Sequence, residues 1–165
     1  MKKRKKTKKT NAARILDSLE VSYELREFEV DVNDLSAENA AINIGLPPDQ
    51  VFKTLVVRGD KTEVFMACIP GEAELDLKTL AVVSGNKKVE MVPLKEVQPL
   101  TGYVRGGVSP IGTRKDYPVY LDESAFEWPF ISISAGARGC LLLIEPEKLV
   151  RVVDAAVCQL SHNLD

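Results

Sequence analysis

The chain has 165 residues, enough for one domain with one substantial core, and 45% of them are apolar, so a packed fold is expected. No apolar run approaches the ~20 residues that cross a bilayer, and no apolar leader follows the basic start, so a cytoplasmic protein with no membrane partner is expected. The three cysteines (Cys68, Cys140, Cys158) are far apart and odd in number, and the single histidine is His162; a disulfide framework, a Cys/His zinc site and a histidine-based catalytic triad are all disfavoured.

The first segment is basic. Lys2, Lys3, Arg4, Lys5, Lys6, Lys8 and Lys9 precede any acidic residue, and the remaining 15 basic residues face 24 acidic ones, a formal −9 within a net −2. Residues 1–9 are therefore expected to be a disordered basic tail, and 10–165 a single domain. Such a tail either attracts a polyphosphate such as RNA by releasing counterions or simply aids solubility. Thr10 is placed to cap a helix over Asn11–Leu19, whose apolar residues Ala12, Ile15, Leu16 and Leu19 share one face. Ser22–Val30 alternates as a strand. Ser36 caps a helix over Ala37–Ile44 that Gly45 ends.

Val51–Arg58 and Thr62–Ile69 are β-rich runs joined by Gly59-Asp60-Lys61, the pattern of a hairpin. A helix over Asp76–Val83, closed by Ser84-Gly85, a short strand Lys88–Met91 and a helical turn Leu94–Val97 follow. Thr101–Gly112 is too rich in Gly and Pro for a central strand, so part of it is a shaped loop. Val119–Leu121 and Phe130–Ser134 read as strands, Ala135–Gly139 as a tight turn, Cys140–Ile144 as a buried strand, and Glu147–Val157 as the last helix. This mixed order predicts an α+β domain with a strongly curved mixed β-sheet and helices packed outside.

Several residues invite a chemical reading. Alternation puts Phe52, Thr54 and Val56 on one strand face and Val51, Lys53, Leu55 and Val57 on the other, so Lys53 sits on an apolar face. A buried ammonium is costly without a partner. Either Lys53 stabilises negative charge in a site, or it snorkels to water from an edge strand. The Gly106–Pro110 loop either offers backbone N–H groups to an oxyanion or is an ordinary turn. Ser134 is either a substrate contact or a strand-end serine, and Arg138 either a phosphate contact or a surface ion-pair partner. Phe28, Tyr103 and Trp128 each fit core packing as well as a ligand pocket.

Three segments together carry a resemblance: Val51-Phe52-Lys53-Thr54-Leu55, Gly102 through Gly112, and Ser134-Ala135-Gly136-Ala137-Arg138-Gly139, with Lys88–Met91 between the first two. In this order and spacing the chain resembles the YbaK/EbsC family, which is similar to the editing domain of bacterial prolyl-tRNA synthetases. The likeness runs from about Thr10 to the last helix. It implies a barrel-like sheet surrounded by helices, and hydrolysis of mischarged tRNA, above all tRNA(Pro) carrying cysteine. The implied partners are the 3′ acceptor end of aminoacylated tRNA and, as a second candidate, prolyl-tRNA synthetase. No cofactor and no metal are implied.

Carried over by position, Lys53 matches the family's activity-linked lysine and Thr54 its pocket neighbour. Gly106 and Pro110 bracket the Gly-x-x-x-Pro loop, which also holds Ser109. Gly107 falls at the glycine implied to face the reacting ester. Ser134, Gly136 and Arg138 match the second pocket loop. Phe28 stands where Cys-specific members often have Tyr, and Leu141 where some have Asp, which keeps open another small amino acid such as alanine. A non-catalytic regulatory or RNA-binding role on the same scaffold is the alternative of another class. Without a usable protein histidine, the resemblance implies that the cysteinyl thiol attacks its own ester carbonyl, or else that a water activated by the ribose hydroxyl does so.

Overall fold

The computed structural model describes residues 9–162, and its first three helices begin where short polar side chains accept otherwise unpaired amides. Thr10 caps α1 (Asn11–Ser18) through the Ala13 N–H, Ser36 caps α2 (Ala37–Ile44) through Asn39, and Asp76 caps α3 (Leu77–Ser84) through Thr79. The basic segment expected to be disordered lies, up to Lys8, outside the described residues. Two further helices are α4 (Leu94–Thr101) and α5 (Pro146–Val153). The strands are β1 (Glu24–Glu27), β2 (Phe52–Gly59), β3 (Glu63–Pro70), β4 (Glu74–Leu75), β5 (Val89–Met91), β6 (Val119–Asp122), β7 (Ile131–Ala137), β8 (Cys140–Ile144), β9 (Ala156–Cys158) and β10 (Ser161–His162).

The chain is α+β, as expected, with five described α-helices packed on one mixed and two antiparallel sheets. Several boundaries differ from the sequence reading, and the strand expected over Ser22–Val30 is confined to Glu24–Glu27. α4 continues past Val97 to Thr101 although Pro99 lies within it, because a proline in so short a helix removes only one internal bond. β7 runs on through Ala137, with a register shift between Ser134 and Ala137 where a tight turn was expected. The last helix stops at Val153, where Asp154 turns left-handed (φ 51°), and Ala156–Cys158 pairs parallel to β6 as β9. The valine- and alanine-rich run suits helix and strand alike, so a partner distant in sequence decides.

Five strands form one sheet in the order β5-β2-β3-β6-β9, and β1-β8-β7 form a second. β3 is buried on both faces. Met66 and Cys68 enter the main core with Leu16, Ile111, Leu121, Ile133 and Leu142, while Phe65, Ala67 and Ile69 enter a second core with Val57, Leu80 and Leu160. The two sheets meet at one parallel bridge, Val51 to Ser132. These ladders do not close the barrel that the resemblance implied: β5 pairs with β2 only at Val57–Gly59, and β7 reaches it only through Val51. The stretch of β2 in between is an open edge, and a cavity lies in the gap beside it.

Asn86 holds the β2–β3 hairpin to the end of α3. Its Oδ1 accepts from the Lys61 and Thr62 amides (2.8 and 3.0 Å), and its Nδ2 donates to Thr62 Oγ1 and Ser84 Oγ, each at 2.8 Å. Gly59 must be glycine for this, since a Cβ there would stand 2.3 Å from the Asn86 amide. Asn86→Ala is expected to destabilise the fold by about 1–3 kcal/mol, read as a lowered urea midpoint at unchanged m-value.

Candidate active site

A cavity of about 550 Å³ opens between the sheets along the free edge of β2. Val51–Val56 form one wall. Ser134 of β7 and Cys140 and Leu141 of β8 form the second, and Met91, Val92, Leu94 and Val97 the third. The segment before α2 and α2 itself (Asp31, Asp34, Ala37, Ala40) complete the ring, together with the loop residues Arg105, Gly106 and Val108.

Six of the sequence-expected residues line this cavity: Phe28, Lys53, Thr54, Gly106, Ser134 and Arg138. The Lys53 ammonium is half-buried and donates to the Gly71 carbonyl at 3.0 Å. Among the described residues it makes no ion pair, so its charge is not neutralised. Thr54 Oγ1 stands 3.6 Å from Cys68 Sγ behind the wall. Burial pushes the Cys68 thiol up to about 11, so it stays protonated at neutral pH. Burial also raises Cys140 on the opposite wall. Phe28 is placed by its own N–H, which donates to Gly139 O at 2.9 Å.

The other four are not among the lining residues. Gly107 does not present its amide to the cavity: that N–H donates to Val104 O (2.9 Å), and a Cβ would meet the Ala137–Arg138 peptide at 3.1 Å. Gly107 thus lets the loop pack directly on the β7–β8 turn. Ser109 is fully buried, and its Oγ accepts from the Ile111 amide at 3.2 Å, a turn-closing bond. Pro110 is buried behind the loop. Gly136 has φ +100°, and a Cβ there would stand 2.8 Å from the Tyr103 ring. Tyr103 is the strut of this region, its hydroxyl donating to Ile111 O (2.6 Å), so core packing is its observed role. Gly136 N–H donates to Ser134 Oγ (3.1 Å), and strand alternation, with Ile133 in the core, puts Ser134 on the cavity side beside its ladder partner Leu141, just before the register shift.

The loop and the β7–β8 turn are tied by Arg138, whose Nε donates to Arg105 O at 2.8 Å. Arg105 itself was missed in the sequence, although it immediately precedes Gly106. Asp31 and Asp34, which nothing in the sequence singled out, line the cavity too. Hydrogen bonds from the Ser36 hydroxyl (2.6 Å) and amide (3.2 Å) hold the Asp34 carboxyl below its ordinary range. The cavity is therefore polarised: Lys53, Arg105 and Arg138 on some sides, Asp31 and Asp34 on another. Its floor is apolar, formed where Phe28, Ala37, Ala40, Val51 and Leu141 cluster. His162 lies elsewhere, on β10, 3.5 Å from Glu74.

Residues 32–152 match the aminoacyl-tRNA editing domain family, and the matched span holds nearly every cavity residue; the chain belongs to that family. A protein of Enterococcus faecalis, EbsC, provisionally named a Cys-tRNA(Pro)/Cys-tRNA(Cys) deacylase, is 44% identical over 161 residues, 98% of each chain. Bacillus subtilis YwhH, an uncharacterised protein, is 31% identical over 121 residues, 73% of this chain and 76% of its own. A solved structure provisionally described as a trans-editing enzyme for prolyl-tRNA synthetase superposes with a TM-score of 0.79 at 27% identity, covering 93% of this chain and 99% of the other. A hypothetical protein, APE2540, shares the fold (TM-score 0.83, 23% identity, 90% and 97% covered).

Proposed function

We propose that this chain is a trans-editing hydrolase that deacylates mischarged tRNA, with Cys-tRNA(Pro) as the principal substrate. The observation that carries this reading is an unneutralised lysine and an apolar floor sharing one cavity of about 550 Å³ in an editing-domain fold. That volume accommodates a terminal ribose and a small aminoacyl group but not a folded tRNA, so the acceptor end enters alone. Arg105 and Arg138 at the loop and turn suit the phosphates that follow it. The floor of Phe28, Ala40, Val51 and Leu141 offers no hydrogen bond from its side chains. It therefore favours a thiol or methyl side chain over a hydroxyl, which would lose its water without replacement.

The chemistry requires no protein base. The cysteinyl sulfur attacks the ester carbonyl carbon, the carbon–oxygen bond to the ribose breaks, and the thiol proton ends on the released ribose hydroxyl. The products are a thiolactone and free tRNA. Enclosure holds sulfur and carbonyl at reacting distance, and Lys53 favours the thiolate and the oxyanion. Gly107 is reassigned here: with its N–H committed to Val104, it shapes the loop, and the neighbouring Gly106 and Val108 amides, which have no hydrogen-bond partner among the described residues, are the better oxyanion donors. Comparing Cys-, Ala-, Ser- and Pro-tRNA(Pro) in one deacylation assay tests the assignment. Hydrolysis of Ala-tRNA alone would move it to the alanine-editing alternative, and hydrolysis of none to a regulatory role.

We further propose that residues 10–165 form a single deacylase domain and that residues 1–9 are a basic arm that attracts tRNA. Removing residues 1–9, with their seven cations, is expected to weaken tRNA binding and flatten its salt dependence, because each phosphate neutralised contributes roughly 0.7–0.9 to the slope of log K against log salt. Filter binding from low to moderate salt measures this, and identical curves for both forms would show that the arm is passive.

A further inference from the structure

The hydrogen bond that orients Lys53 comes from outside its own strand, and the geometry around its acceptor is unusually constrained. Gly71 follows directly on Pro70, the residue that ends the β2–β3 ladder opposite Phe52. Its N–H donates back to Val51 O at 2.8 Å, and the Ala73 amide donates to Pro70 O at 3.0 Å, so the turn is closed on both sides of the Gly71 carbonyl. A Cβ on Gly71 would stand 3.0 Å from both Ala37 Cβ and Val51 O. Glycine is needed here for room, not for a left-handed backbone. The turn is pressed between α2 and the start of β2, and its carbonyl meets Lys53 Nζ at 3.0 Å.

We propose that Gly71 is the positioning residue for Lys53: its carbonyl aims the ammonium into the cavity without neutralising it. An ammonium has three donors and no acceptor. One bond to a carbonyl fixes its direction and leaves two N–H groups for substrate. A carboxylate in the same place would orient the lysine but cancel the charge that the site needs. Asp31 and Asp34 line the same cavity, yet neither pairs with Lys53 within 4.0 Å. Fixing the amine before substrate arrives removes a flexible side chain's reorganisation from the reaction step.

This inference rests on the deacylase reading above, so its test has one readout that needs no activity. In protein carrying isotope-labelled lysine, the Lys53 side-chain ammonium should give a distinct, slowly exchanging NMR signal. Gly71→Ala must shift the turn by a few tenths of an ångström. It should move that signal toward those of exposed lysines and lower kcat on Cys-tRNA(Pro) about tenfold at little-changed KM. Ala37→Gly combined with Gly71→Ala removes one of the two close contacts and should restore part of both; it also serves if the single variant folds poorly. An unchanged lysine signal in folded Gly71→Ala overturns the proposal, as does a shifted signal with undiminished kcat. Absence of deacylation by the unaltered chain would sink the underlying enzyme reading and this role with it, while the spectrum would still report whether Gly71 holds the lysine.

Discussion

Lys53→Ala is expected to lower the single-turnover rate of Cys-tRNA(Pro) deacylation by about 10²–10³-fold while leaving the protein folded, the range typical for loss of one preorganised electrostatic partner. The size follows from the surroundings. A unit charge about 4 Å from a developing oxyanion contributes roughly 4 kcal/mol at the effective dielectric of a partly enclosed site, or near three orders of magnitude in rate. Lys53 suffers no internal cancellation, because its partner among the described residues is the Gly71 carbonyl, not a carboxylate. Stability should change little, since the amine is only half-buried and its stem can be replaced by water. Lys53→Arg should fall between: it keeps the charge, but a planar guanidinium cannot reproduce the placement of a compact ammonium. Undiminished turnover by folded Lys53→Ala protein, matched to the unaltered chain by thermal melting, would remove the lysine from the mechanism.

Ser-tRNA(Pro) should react at least about 100-fold more slowly than Cys-tRNA(Pro), although the two side chains differ by one atom. A thiol ionises near pH 8.5, so a usable thiolate fraction exists at neutral pH, whereas a hydroxyl remains protonated. The apolar floor adds to the difference, since Phe28, Val51 and Leu141 give a serine hydroxyl no partner. The same route predicts that the Cys-tRNA rate climbs with pH toward the substrate thiol's pKa. The chain's own thiols near the site, Cys140 on the cavity wall and Cys68 buried behind it, do not account for such a rise at neutral pH, because burial holds both above their ordinary values. Comparable rates for both substrates would exclude thiol attack and favour a water activated by the terminal ribose.

Much of the local architecture was legible because its causes are local. Thr10 and Ser36 cap helices through bonds to amides three residues on, and Gly45 and Gly85 end helices in left-handed turns. The β2–β3 hairpin follows from two β-rich runs flanking a glycine turn. β9 and β10 were missed because their partners, β6 and β4, lie far away in the chain. β10 is further held by Asp122, whose carboxylate accepts from the Leu160 and Ser161 amides (2.7 and 3.0 Å), a contact no periodicity announces. The site was legible in its residue types and less so in their roles. Gly107 was read as facing the reacting ester and Ser109, Pro110 and Gly136 as substrate-binding, but none of the four lines the cavity, and they shape the loop and turn that hold Gly106, Ser134 and Arg138 there. A glycine that touches a ligand and a glycine that lets two backbones touch look the same in a sequence.

By itself the sequence determined the α+β class, the helix caps, the hairpin that carries Lys53 and the lack of a well-placed histidine. Only the tertiary structure decided that β2 keeps an open edge between two sheets, that Asp31, Asp34 and Arg105 face the resulting gap, and that Lys53 is held by a carbonyl rather than by a carboxylate. The division has a physical origin. Caps, turns and alternation are set by neighbours within a few residues, whereas a cavity exists where separate segments fail to meet, and that depends on how the whole chain packs.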